Sequence, residues 1–451
     1  MSDTHSETDL AKAGVTRDAE PFNPKPARLP PGLSVGPLAW MKQNLFATWL
    51  DTIITIICAV IIFMLVRHLV TWGILDSVWD AANRRECMNK SPDGACWAGP
   101  RLWFHQFIYG LYNVDERWRV NLGFFVLVAW MVPLFLSRVT VKLPTAAGLV
   151  LTYPLFTSYL FYGGEKGIFW TIVSALGIAC FIWAMVNMLM ELFASKPLGK
   201  LLEQKFGMVS LKPRMLLLVA LWAAVSIIWS GVELEVVRTV RWGGLFVTMV
   251  VAGIGITFAL PAGIVLALGR RSKLPLIRIV CVVFIEVFRS VPLITVLFMA
   301  TTMVPLFLPE GVTFDKLLRA IIAVCLFAAA YMAEVVRGGL QSISRGQYEA
   351  AAAMGLGYWR TTGLIIMPQA LKLMIPNILS NFIGLFKDTT LVAIIGLFDL
   401  LGMVQAMSEA TDWIGLVDEP YLFAALVYFI GCFAMSRYAR HLENKLSTEH
   451  R

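Results

Sequence analysis

Three pairs of ionisable residues sit within stretches otherwise too apolar for water. Glu286 and Arg289 fall in the run 275–308, Glu334 and Arg337 near the end of 317–337, and Lys387 and Asp388 within 371–397. Charge at membrane depth is costly, and such residues face a bundle interior or a water-filled path and pair with one another. Glu286 and Arg289 are three residues apart and share one face of a helix. Two readings stay open for the pairs. In one they neutralise each other and lock the helices, because a buried charge needs a partner. In the other they line a midplane site where a zwitterion replaces one partner. Arg289 and Lys387 would then meet its carboxylate, with Glu286, Glu334 and Asp388 alongside. Neighbouring residues on a helix point about 100° apart, so Lys387 and Asp388 do not form a simple local lock.

Other reactive types are sparse. Of the seven cysteines, Cys58, Cys180, Cys281, Cys325 and Cys432 lie in apolar runs and read as small packing residues. Cys87 and Cys96 share the polar loop "RRECMNKSPDGACWAG". They are either a loop-closing disulfide or two unrelated thiols, and the compartment decides. The five histidines are scattered through tails and interfaces, and no His/Cys/Asp/Glu cluster has metal-ligand spacing. No nucleophile–base set and no G-x-x-x-x-G-K-[ST] phosphate loop is present.

The elements that must hold these residues are membrane helices. With 58% hydrophobic and 15% charged residues and a mean hydropathy of +0.71, the composition excludes an ordinary soluble domain. Apolar runs at 46–72, 121–137, 145–163, 167–193, 215–231, 243–269, 275–308, 317–337, 371–397 and 421–436 predict an all-α integral membrane protein of about ten spans. Before them, residues 1–45 are polar and Pro-rich, an extended tail. Lys and Arg concentrate in "SKPLGKLLEQKFGMVSLKPR", "GRRSKLP", "VVRGGLQSISRG" and the C-terminal "SRYARHLENK". "LPEGVTFD" and "DLLGMVQAMSEATDWIGLVDEP" carry acids alone. The positive set belongs inside, which puts both termini in the cytoplasm and the loop of about 73–120 outside. That compartment favours a Cys87–Cys96 disulfide. The aromatics Trp97, Trp103, Phe104, Phe107, Tyr109 and Tyr112 then read as an interfacial belt or amphipathic helix, or as a docking surface.

One segment does not suit lipid. "QYEAAAAMGLGYWRTTGLIIMPQ", from Gln347 to Gln369, predicts a helix over 346–354 ended by Gly355 and Gly357. A second short helix over 358–367 follows, closed by Pro368 before the next span. Its small face allows close approach of a partner helix groove, and Tyr348, Tyr358 and Trp359 supply anchors. Packing of the segment on its own subunit is the competing reading.

Glu349-Ala350-Ala351, three residues, Gly355, nine residues, Ile365, one residue, Met367-Pro368 resembles the EAA loop of bacterial ABC importer permeases. Met367 stands where that pattern usually has leucine, a volume-conserving exchange. "FIEVFRSVPLITVLF", "AYMAEVVRGGLQSISRGQYEAA" and "LFKDTTLVAIIGLFDLLG" resemble the polar amino-acid permeases of that family, across about 200 residues. The longer N-terminal half is similar to one permease subunit of the general L-amino-acid and glutamate/glutamine/aspartate importers. The resemblance implies a five-helix type I ABC importer permease core over 240–445, with the EAA loop at 346–368, after an N-terminal transmembrane extension over 46–231. It implies a non-catalytic subunit that forms the path for polar L-amino acids in the bacterial inner membrane. Glu349, Ala350, Ala351, Gly355, Tyr358 and Pro368 would form the coupling helix and its turn, seated on a separate ATPase. Two ATPase subunits holding ATP and Mg, a second permease subunit of different sequence, and a periplasmic amino-acid-binding protein would complete the complex. This chain would bind no cofactor, metal or nucleic acid. The alternative is an ion-coupled secondary transporter or channel working without an ATPase.

Overall fold

The computed structural model describes residues 36–136, 139, 141–165, 167–193, 211–309 and 314–447. The Pro-rich stretch up to residue 35 and the basic segment 194–210 lie outside them. Among the described residues every regular element is helical, no strand forms, and four isolated bridges join loops.

Each of the ten apolar runs contains a helix, but the number of crossings is less definite than ten. Seven helices among the described residues are long and apolar enough to cross: Trp49–Leu75, Val114–Phe135, Ile168–Leu192, Gly244–Arg270, Lys316–Gln341, Tyr358–Ala393 and Asp418–Lys445. Lys142–Tyr162 has the length without the apolarity, and Met215–Ser230 is shorter. The run 275–308 is not one straight span. It bends by 106° between Pro275–Ser290 and Leu293–Phe307. Pro292 causes the break: it lacks an N–H, and it forces Val291 into an extended conformation (φ −108°, ψ 134°).

Among the described residues, those up to Asp76 form one compact unit and those from Ser77 onward another. In the first, a capping box starts the Trp49–Val70 helix. Thr48 Oγ1 accepts from the Asp51 N–H at 3.1 Å, and Asp51 Oδ2 accepts from the Thr48 N–H at 3.2 Å. No residue of that helix is buried, which suits a helix apolar all round and bathed in lipid.

The second unit is built on the pairing of Gly244–Arg270 with Lys316–Gln341. Gly255, Ala259, Gly263 and Ala267 recur every fourth residue along one face of the first helix and are buried. Small residues let the backbones close up where lipid gives no hydrophobic drive. A Cβ on Gly263 would lie 2.7 Å from Met332 Cγ. Met367–Asp388 packs on Lys316–Gln341, and Asp418–Ser447 packs on Met367–Asp388. Arg117–Phe135, Lys142–Tyr162, Ile168–Phe193 and Leu211–Ser230 form a neighbouring bundle. It meets the first pair through aromatic edges, with Phe161 4.9 Å and Phe124 6.3 Å from Phe246 between ring centroids.

Residues 77–112 fold into a cap instead of a loose loop. Val78 bridges to Cys96, and Cys87 and Cys96 are disulfide-linked with Cα atoms 5.8 Å apart. The cap is seated on Leu400–Glu409 and the start of Asp418–Ser447. The Arg84 N–H donates to the Asp412 carbonyl and its guanidinium to the Ile414 carbonyl, both at 2.9 Å. The Cys96 N–H donates to Glu419 Oε1 at 2.7 Å. Phe107 stacks on Phe423 with centroids 5.3 Å apart. Phe107 and Tyr112 are therefore core residues and not an interfacial belt, 0% and 1% exposed.

Three backbone segments cross beneath the cap with no room for a side chain. Gly110 (φ +66°) bridges to Trp242, and a Cβ on it would lie 2.3 Å from Gly243 Cα. The Gly244 N–H (φ +63°) donates to the Phe398 carbonyl at 2.7 Å. Next to it the fully buried Asp399 caps Leu400–Glu409, accepting from the Gly402 N–H at 2.9 Å and the Tyr428 hydroxyl at 3.2 Å. Burial pushes its carboxyl up to about 6, against the pull of those donors.

The disulfide closes a separation of nine residues. Mass spectrometry without reduction should return Cys87 and Cys96 in one linked peptide, and replacing both by serine should cost about 2–3 kcal/mol of stability. Two freely alkylated thiols in protein from its native membrane would contradict the cap as described.

Candidate functional site

Gly244–Arg270 has 27 residues, about 40 Å of helix, so its last turn lies at the end of the bundle remote from the cap. There the charges gather. Arg270 NH1 lies 3.0 Å from Glu286 Oε1 and 3.6 Å from Glu334 Oε2. Arg289 NH1 lies 3.5 Å from the same Glu334 oxygen, while the Arg337 Nε donates to Glu334 Oε1 at 2.9 Å. Three guanidiniums and two carboxylates thus share one cluster centred on Glu334, whose side chain is 23% exposed. The expected local pair of Glu286 with Arg289 does not form. Each reaches another helix instead, because the amphipathic Pro275–Ser290 helix turns its charges toward Arg270 and Glu334. Among the described residues neither Glu334 Oε2 nor Arg270 NH1 makes a hydrogen bond, although both atoms are buried.

A cavity of ≈ 310 Å³ opens beside this cluster, lined by Phe327, Tyr331, Asn381, Gly384, Leu385 and Asp388 among others. Ligand pockets begin at about that size. Of the five pathway candidates named from the sequence, only Asp388 lines it. Arg289 reaches its wall indirectly, with the guanidinium over the Tyr331 ring, 5.7 Å from the centroid. Lys387 is exposed and makes no ion pair among the described residues. The two adjacent residues do not sit at mid-helix. The α-helix ends at Asp388, and Thr389–Ala393 tightens into a 3₁₀ turn.

The segment after Lys316–Gln341 forms the expected helix, Arg345–Ala353. Gly355 alone supplies the left-handed turn (φ +73°); Gly357 is extended at φ −70°, ψ 162° and starts the next helix. Pro368 does not separate a second short helix from the span. Tyr358–Arg360 runs through a π-helical turn, Thr361–Ile366, straight into Met367–Asp388. The wider turn absorbs the proline, which sits in the first α-helical turn where its missing N–H is not needed. Glu349, Ala350, Gly355 and Tyr358 are exposed, but Ala351 is 1% exposed and packs on its own chain. Arg271 fixes the segment to the bundle, donating to the Tyr348 hydroxyl at 3.2 Å with its guanidinium over the ring. Sequence reasoning missed Arg270 and Arg271, which it read only as a loop setting orientation. Arg270 closes the last helical turn and Arg271 caps it, so both belong to the end of the span and not to a separate loop.

Residues 259–448 match the family model described as "Binding-protein-dependent transport system inner membrane component". The chain is 41% identical to the Escherichia coli (strain K12) "Inner membrane amino-acid ABC transporter permease protein YhdY", over 91% of this chain and 93% of that one. It is 41% identical to the Rhodobacter capsulatus "Glutamate/glutamine/aspartate/asparagine transport system permease protein BztC", over 96% and 98%. The chain belongs to the amino-acid ABC transporter permeases. A Bacillus subtilis relative, "Probable glutamine ABC transporter permease protein GlnP", is 36% identical over 45% of this permease and 91% of its own length. The shorter relative thus matches less than half of the length that the two longer ones share with this permease.

The two alanines of the permease's exposed helix should respond differently to bulk. Ala351→Trp should lower the thermal midpoint of the isolated chain, through overpacking worth about 1–3 kcal/mol. Ala350→Trp, on the exposed face, should leave the midpoint unchanged. Equal melting of the two variants would contradict the burial of Ala351.

Proposed function

We propose that this chain is the membrane-spanning subunit of an ATP-driven importer of polar L-amino acids in the bacterial inner membrane. The observation that carries the proposal is the exposed Arg345–Ala353 helix, set between two core spans. An ATPase subunit takes this helix in its cleft, with Glu349 and Ala350 at the contact and Tyr358 as anchor. Ala351, Gly355 and Pro368 shape the segment from within. The ATPase holds ATP and Mg, and this chain supplies no catalytic group.

Arg270, Arg271, Lys273 and Arg345 crowd the end that bears this helix, which supports a cytoplasmic placement of it and of both termini. The cap then faces the periplasm, where a disulfide persists. A periplasmic amino-acid-binding protein delivers cargo there, and a second permease chain of related but different sequence completes the path. The glutamate, glutamine, aspartate and asparagine named for the Rhodobacter capsulatus relative support a polar cargo. In the cavity, Asp388 takes the cargo ammonium, and Arg289, behind the Tyr331 ring of the wall, supplies positive potential for the carboxylate.

Glu349→Lys reverses charge on the docking helix and should abolish co-purification of the ATPase. Asp388→Asn should leave that co-purification intact while lowering uptake of radiolabelled L-glutamate and L-glutamine at least about tenfold, roughly 1.4 kcal/mol. An ATPase retained by the first variant would remove the docking role, and normal uptake by the second would remove the cargo role.

A further inference from the structure

The Glu334 cluster lies between the two parts that must communicate during transport. On one side, Lys316–Gln341, which carries Glu334, joins the Arg345–Ala353 helix through Ser342, Ile343 and Ser344 alone. Arg271 ties that helix back to the end of Gly244–Arg270 through Tyr348, and Arg270 itself enters the cluster. On the other side, Arg289 stands two residues before the 106° break at Val291–Pro292 and stacks on Tyr331, a wall of the cavity. A displacement of the exposed helix therefore reaches the cavity wall through side chains in direct contact.

The two oxygens of Glu334 are held unequally. Oε1 is hydrogen-bonded by Arg337 of the same helix. Oε2 faces Arg270 and Arg289 of two other helices at 3.6 and 3.5 Å, and has no hydrogen bond among the described residues. Attraction at that range is real, but the oriented bond is missing. A slide of Lys316–Gln341 along either neighbour would bring one guanidinium into bonding geometry with that oxygen. The bond within its own helix would hold Glu334 to Arg337 throughout, and only the contacts between helices would change.

We infer that Glu334 is a positioning residue that couples the docking helix to the cavity, exchanging its contacts with Arg270 and Arg289 as that helix moves. The inference rests on the Arg345–Ala353 helix docking an ATPase. Energetic coupling carried this way requires an element with two discrete arrangements that both sites bias, and the half-bonded carboxylate is that element.

The test uses the full complex with its co-purified ATPase in liposomes and reads moles of L-glutamate or L-glutamine taken up per mole of ATP hydrolysed. Glu334→Gln should leave ATP hydrolysis within about twofold of wild type while uptake per ATP falls at least about tenfold. Tyr348→Phe, which removes one hydroxyl and keeps the ring, should lower the same ratio less. The double variant should fall no further than Glu334→Gln alone, because both act on one route. An unchanged ratio in Glu334→Gln, or additive losses in the double variant, would overturn the inference. So would a complex that only melts earlier while its ratio stays normal, since Glu334 would then be a structural pin. Glu349→Lys serves as the control: if it keeps its ATPase, the docking reading fails, which is distinct from failure of the relay.

Discussion

Glu334 keeps less than a quarter of its side chain exposed, and three guanidiniums from three helices gather to answer its charge. Much of the core follows from that requirement. Arg270 must end its helix within reach, which fixes the length of Gly244–Arg270. Arg289 must come round from a separate helix, which the Pro292 break allows. The small residues Gly255, Ala259 and Gly263 bring Gly244–Arg270 against Lys316–Gln341 closely enough for the ions to meet. Removing one partner leaves the remaining charges short of a counter-charge, so the cluster rearranges more readily than it dissolves.

The opposite end is held by different means. Beneath the cap, Gly110, Gly243, Gly244 and Phe398 meet backbone to backbone, and side-chain volume is excluded at the crossing. Hydrogen bonds from Arg84 and Cys96 then fix the cap to the loop and helix that follow Leu400–Glu409. Close-packed contacts of that kind resist gradual deformation. One end of the permease is thus a seam of backbone contacts, and the other a cluster of long, partly unsatisfied ionic ones. Motion driven by an ATPase would concentrate where the contacts tolerate exchange.

How much of this was legible in the sequence depended on range. The apolar runs, the exposed helix before Gly355 and its EAA spacing are local patterns, and they appear where the chain places them. The near pair Glu334 and Arg337 is local too. Glu286 and Arg289 had the right spacing for a pair, but spacing carries no information about Arg270 on another helix, which outcompeted the local partner. The cap was illegible for the same reason: Phe107 meets Phe423, and Cys96 meets Glu419, across more than three hundred residues. Its aromatics looked interfacial because a hydrophobic residue beside a span has the same pattern whether it faces lipid or a buried seam. Pro368 misled in a further way, since a proline in the first turn of a helix breaks nothing.

The central claim, a fixed cap end and a movable ionic end, is most directly tested by paired spin-label distances in the complete complex. Labels introduced as unnatural amino acids at Arg85 and Ile414 would report the seam while leaving Cys87–Cys96 intact. Labels at Arg278 and Ala353 would report the other end. On adding ATP, the first distance distribution should stay superimposable and the second should shift beyond its resting width. A shift across the seam, or none between Arg278 and Ala353, would contradict the account.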